Sequence, residues 1–135
     1  FRQVFNSTVR IRAFKAGRMV WMGSGNVYKI EDNRLSILSN NHVCNDADEI
    51  TGEFFNDGKS LGQFVLQVDR CIKKDNVDIG LVSCSVGETL KDVEAIGFTS
   101  SPVEVGEEIF WVGSSTGEWP NGQLGRVVYS SDCPL

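Results

Sequence analysis

The chain has 135 residues, 41% of them hydrophobic, and a formal net charge of −5, which is enough apolar material for one good core or for the two smaller cores of paired barrels. The acidic balance and the lack of any long Lys/Arg run argue against a nucleic-acid partner, whose binders carry a basic face. No stretch approaches eighteen consecutive apolar residues, so no transmembrane helix is expected. The sequence opens at Phe1 without the charged-then-apolar start of a signal peptide, which implies earlier processing or a fragment.

In chain order the pattern is β throughout. "TVRIRAF" sets Val9, Ile11 and Ala13 against Arg10 and Arg12, the period of two of a half-buried strand. "GRMVWMGSG" resumes after a Gly turn. "NVYKI" and "RLSILS" flank "EDN" and read as a hairpin, because Asp and Asn favour a tight reversal. "EITGEFF", "GQFVLQVD", "VDIGLVSC", "EEIFWVG" and "LGRVVYS" are the later strand candidates. Turn signals separate them at Asn56–Gly58, Val86–Glu88, Val105–Glu107 and Glu118–Gly122. "CIKK" reads as a strand with a wet face. A helical turn fits only Asn40–Cys44, with a weaker one at Glu88–Asp92. Short strands with Gly-rich turns indicate an all-β barrel or sandwich. "GFTSSPVEVGE", Gly97–Glu107, is the best connection between two halves, which divides the chain into 1–96 and 97–135.

Cys44, Cys71, Cys84 and Cys133 show no C-x-x-C spacing, and one histidine adds little, so neither a zinc site nor any other metal or cofactor is expected. The four cysteines admit two disulfides in three pairings, or four reduced thiols, and leave the compartment open. The acidic run "NDADE", Asn45–Glu49, reads as a solvated loop, with calcium binding as the lesser alternative. Trp21 and Trp111 read as barrel core. Trp119, in "TGEWPNG", is a loop tryptophan that either touches a substrate or partner or folds back on its own domain.

Four features stand in order: "GSG" at Gly23–Gly25, "ILSNNHVC" ending just past His42, "DNVDIGLV" with Asp78 before an apolar run, and "VGEEIFWVGSSTG". A lone histidine is more often a packing residue than a catalytic one, GSG is usually a turn, and an Asp before a strand is usually a solvated end. The order and wording of all four together resemble the chymotrypsin-fold serine peptidases, in particular the minimal high-temperature-requirement (HtrA) type. The resemblance runs from Val9 to Tyr129, is most specific at Ile37–Val43, and is supported by "DIGLV" at Asp78–Val82.

The resemblance implies a trypsin-like double β-barrel, the first barrel complete in 1–96 and the second begun in 97–135. It implies a His-Asp-Ser type triad acting on a polypeptide substrate. His42 is then the general base and Asp78 the carboxylate that fixes its tautomer, with Asp75 as runner-up. It also favours a secreted, extracytoplasmic or viral setting over a resident cytoplasmic one.

The family's nucleophile sits in G-x-S-G-G or its cysteine equivalent, where glycines let successive N–H groups form the oxyanion hole. No such motif occurs in the 135 residues. Ser24 matches the family's structural turn, and Ser114 and Ser115 a surface loop of the second barrel. Cys133 in "SSDCPL" is a weak alternative, because Asp132 disfavours a thiolate and Pro134 has no N–H to give. The expectation is therefore a peptidase portion that works with a companion C-terminal segment or chain carrying the nucleophile. The alternatives are a catalytically inactive protease-fold binding module and a purely structural β-domain.

Overall fold

The alternating residues of "TVRIRAF" become strand β1, Thr8–Lys15, in which Val9, Ile11 and Ala13 are fully buried. The structure, a computed structural model, describes residues 2–114 and 120–130. Strands β2 (Arg18–Glu31), β3 (Arg34–Ser39), β4 (Glu49–Asn56), β5 (Lys59–Lys74) and β6 (Val77–Ser85) follow. All neighbours are antiparallel and the sheet closes as a barrel in the order β1-β2-β3-β6-β5-β4.

Three hairpin turns, at Ala16–Gly17, Asp32–Asn33 and Asp57–Gly58, hold both central residues at positive φ. That is the turn geometry whose twist matches right-handed strands, and Asn, Asp and Gly tolerate it best. Ile11, Leu35, Ile37, Ile50, Phe54 and Val82 fill the interior with at most 2% of their surface exposed. Each stabilises the fold by about 1.5–3 kcal/mol relative to solvent. A one-residue slip would turn a whole strand's set outward, so the interior fixes the register.

Helix α1, Arg2–Ser7, is too short to show a helical period in the sequence. Ser7 and Thr8 hydroxyls donate to the Val4 carbonyl, and Asn6 donates to Glu94. The Glu88–Asp92 segment forms turns rather than a helix. It drops Leu90 and Val93 into the barrel core, and the Ile96 N–H donates to the Val27 carbonyl at 2.9 Å. Residues 97–107 then run exposed to strand β7, Glu108–Gly113, which pairs with β8, Asn121–Arg126, in a second sheet.

That sheet meets helix α1 through Phe110 and Phe5, with ring centroids 5.8 Å apart, and the barrel through Arg10, whose Nε donates to Ser114 Oγ at 3.1 Å. Arg10 and Arg12 both reach Glu53, and Arg10 lies over the Phe55 ring.

Several expectations need correction. Ser114 is buried at 3% exposure as the acceptor of Arg10, not part of a surface loop. Trp21 and Trp111 are about half exposed rather than core: Trp21 lies just before the buried stretch of β2, and Trp111 is on the face of β7 opposite buried Val112. The last strand starts at Asn121 and stops at Arg126, where its register with Glu108 of the six-residue β7 runs out. Val128 and Tyr129 are left exposed beyond it. Ser115, Trp119 and Cys133 lie outside the described residues.

Candidate active site

The site is built around helix α2, the single turn Asn41–Cys44 that follows β3. Asn40 stays extended before it (φ −108°, ψ 149°), and the Val43 N–H donates back to the Asn40 carbonyl. Side chains diverge by roughly 100° per residue in such a turn. Val43 and Cys44 therefore point down into the barrel mouth, 2% and 3% exposed, while His42 points out.

Two glycines make room for this. A Cβ on Gly23 of β2 would stand 2.8 Å from a Val43 methyl, and one on Gly80 of β6 would stand 2.7 Å from the Asn40 carbonyl oxygen and 2.8 Å from Cys44 Sγ. The "GSG" is thus the interior of a long strand and a seat for α2, not the turn expected from the sequence. Ser24 within it offers its backbone carbonyl to Ser39 Oγ at 2.8 Å.

Asp78 is the second residue of β6, two before the glycine on which Cys44 rests. Its Oδ1 accepts the backbone N–H of His42 at 2.9 Å, and its Oδ2 faces His42 Nδ1 at 2.5 Å. Asn40 Nδ2 donates to the Asp78 main-chain carbonyl at 2.9 Å, which ties the start of α2 to β6. The hydrogen bond from the imidazole holds the Asp78 carboxyl below its ordinary range, and the N–H groups of His42 and Asn41 add to it. Burial works against them.

With Nδ1–H committed to the carboxylate, the neutral ring carries its free lone pair on Nε2, the atom facing away from Asp78. Trp21 stands edge-on to the imidazole with centroids 5.9 Å apart. A groove of about 330 Å³ begins at Asp78 and runs past Asn40, Ser39, Ser24 and Asn26. The chemistry available is proton transfer at Nε2, with a carboxylate placed to stabilise the imidazolium that forms.

The structure brings His42 and Asp78 together. Asp75 sits instead in the β5–β6 turn at φ 51°, exposed, with a left-handed backbone that Asp tolerates. Asp46 and Asp48 of the acidic run are occupied by Lys15 Nζ and the Ala16 N–H, so they fasten the β1–β2 turn. No group of three or more His, Cys, Asp or Glu side chains among the described residues is placed to hold a metal ion. Cys44, Cys71 and Cys84 carry no disulfide. No helix among the described residues is long and apolar enough to cross a membrane. Sequence reasoning missed Trp21 and Asn40 as neighbours of the pair. Trp21 has the strand parity of Gly23, and that parity was the available signal.

No family model and no curated protein sequence matches the chain. Its structure is nevertheless similar to the solved structure of Deg5, with a TM-score of 0.70 at 18% identity, over 99% of this chain and 63% of that one. It is also similar to the apo MamO protease domain from Magnetospirillum magneticum, with a TM-score of 0.65 at 20% identity, over 98% of this chain and 65% of that one. The chain thus spans less than two thirds of each of these two proteins' chains. Its fold is the trypsin-like protease fold, with a closed first barrel followed, among the described residues, by two strands of a second sheet.

Proposed function

We propose that the chain is the base-bearing part of a trypsin-like endopeptidase. His42 acts as general base, Asp78 orients it, and a companion C-terminal segment or chain supplies a serine or cysteine nucleophile. The observation that carries this is the two-point contact of Asp78 with the His42 main chain and ring. It leaves Nε2 free to take a proton from the nucleophile as that atom attacks the scissile carbonyl. Nε2 then returns the proton to the leaving amine. Residues 1–96 form the unit that holds the pair, and 97–135 begin the second barrel against which a polypeptide substrate lies. A secreted, extracytoplasmic or viral setting belongs to the same proposal.

Intact mass and unreduced peptide mapping of the protein from its source identify what accompanies Leu135. A companion stretch with G-x-S-G-G or G-x-C-G-G is the expected result. In the complete enzyme, His42→Ala then lowers kcat by about 10⁶-fold and Asp78→Asn by about 10⁴-fold, the scale of such triads. An intact enzyme whose hydrolysis survives His42→Ala refutes the proposal. A second function, a catalytically inactive binding or structural module on the protease scaffold, is favoured by the missing nucleophile motif. It becomes the conclusion if no such motif accompanies the chain.

A further inference from the structure

Cys44 and Cys71 flank the same glycine. Cys44 Sγ rests 2.8 Å from where a Gly80 Cβ would stand, and Cys71 of β5 is the direct cross-strand partner of Gly80 in β6. Directly opposed residues of an antiparallel pair project to the same face, with Cβ positions about 4.5–5.5 Å apart. The Cys71 side chain therefore projects to the face of β6 on which Cys44 lies, and the bare Gly80 puts no side chain of its own on that face. Helix α2 packs on both β5 and β6. The two thiols are close enough for a charge on Cys71 to oppose the ionisation of Cys44.

Their environments differ. Cys71 is exposed, whereas Cys44 is 3% exposed and burial pushes its thiol up to about 12.

We propose that Cys44 and Cys71 form a redox-modification site, in which Cys71 reacts with a disulfide oxidant of the glutathione class and Cys44 resolves the adduct into an internal disulfide. In the first step the Cys71 thiolate attacks a sulfur of glutathione disulfide, breaking its S–S bond and releasing one glutathione thiolate, which takes up the proton Cys71 has lost. In the second, Cys44 gives up its proton and attacks Cys71 Sγ, expelling the second glutathione. The two protein thiols lose two electrons together, and the oxidant becomes two glutathione molecules.

Exposure makes Cys71 the entry point, and the buried Cys44 is reached only through it. The product clamps the turn that carries His42 onto β5, the strand beside Asp78's own. The mixed disulfide itself is the alternative end point, and the test separates the two.

The unmodified chain is incubated with glutathione disulfide at neutral pH, free thiols are blocked with N-ethylmaleimide, and unreduced peptides are mapped by mass. The expected product is a Cys44–Cys71 cross-linked peptide, formed with a rise in the thermal unfolding midpoint. Cys44→Ser should instead accumulate a stable glutathione adduct on Cys71, and Cys71→Ser should leave Cys44 as a free thiol. A lasting adduct on Cys71 of the unmodified chain, or pairing of Cys71 with Cys84 or Cys133, overturns the proposal. None of these readouts uses hydrolysis, so the thiol pair and the peptidase assignment stand or fall separately.

Discussion

Replacing Gly80 by alanine tests how the candidate site is held without touching either of its reacting groups. The added Cβ would lie 2.7 Å from the Asn40 carbonyl oxygen, 3.0 Å from its carbon and 2.8 Å from Cys44 Sγ. Ordinary contact begins near 3.4 Å, so the backbone just before α2 has to retreat by roughly 0.7 Å, and backbone has no rotamer through which to escape. Overpacking of this kind costs about 1–3 kcal/mol. For a chain of 135 residues, that lowers the thermal midpoint by roughly 3–12 °C.

The retreat also lifts His42 from Asp78, because the Asn40 side-chain amide and the His42 N–H both tie this segment to Asp78 of β6. Carbon-detected NMR titration of the Asp78 carboxyl reads this directly, as a pKa that moves back up toward the ordinary carboxylate range. In a complete enzyme a misplacement approaching 1 Å costs on the order of 10²-fold in rate. Gly97→Ala serves as the comparison, since its Cβ meets nothing within 4 Å. If Gly80→Ala melts like the parent chain and leaves the Asp78 titration unmoved, the seat described for α2 is wrong.

Other perturbations follow from the same contacts. The unfolded Asp78 carboxyl takes up its proton near about 3.9, and the folded one below that. The His42–Asp78 contact therefore contributes in full above the ordinary carboxylate range and is lost as pH falls through the lowered folded value. An Asp78 that titrates at or above the ordinary value by NMR contradicts the contact. Arg10→Ala removes the link to Ser114 and one of two guanidinium partners of Glu53, whose side chain is 15% exposed. It should destabilise the chain by about 1–3 kcal/mol in denaturant melts and increase hydrogen exchange in β7 more than in β3. Thr51 Oγ1 is buried and finds no partner among the described residues. Thr51→Val should accordingly raise the midpoint or leave it unchanged, and a loss above about 1 kcal/mol would mean that the hydroxyl has a partner.

The strands were legible where burial is one-sided. Val9, Ile11 and Ala13 alternate with arginines because one face meets the core, and Asp32–Asn33 announces its hairpin through residues that tolerate positive φ. The contact of His42 with Asp78 was legible only through the wording around both residues, since nothing in a lone histidine states what it faces. Gly23 looked like a turn because glycine serves two needs, backbone freedom and empty space, and a sequence does not say which. Trp21 misled for a related reason: its parity is that of a core residue, but the barrel mouth ends beneath it. Ser114 hides in a polar loop and is buried by an arginine 104 positions away, a pairing no local pattern carries.

The seating of α2 also bears on the order of assembly. Four strand pairings, β1–β2, β2–β3, β4–β5 and β5–β6, join neighbours in sequence and close short loops, whereas β1–β4 and β3–β6 join distant strands. Local hairpins form early and distant pairings late, since loop closure opposes them. Val43 needs Gly23 from the first half, and Cys44 needs Gly80 from the second. The turn bearing His42 has no complete seat until β3 has paired with β6. On that order of events the His42–Asp78 contact forms only after β3 and β6 have paired, so any activity that depends on it is confined to the nearly complete fold.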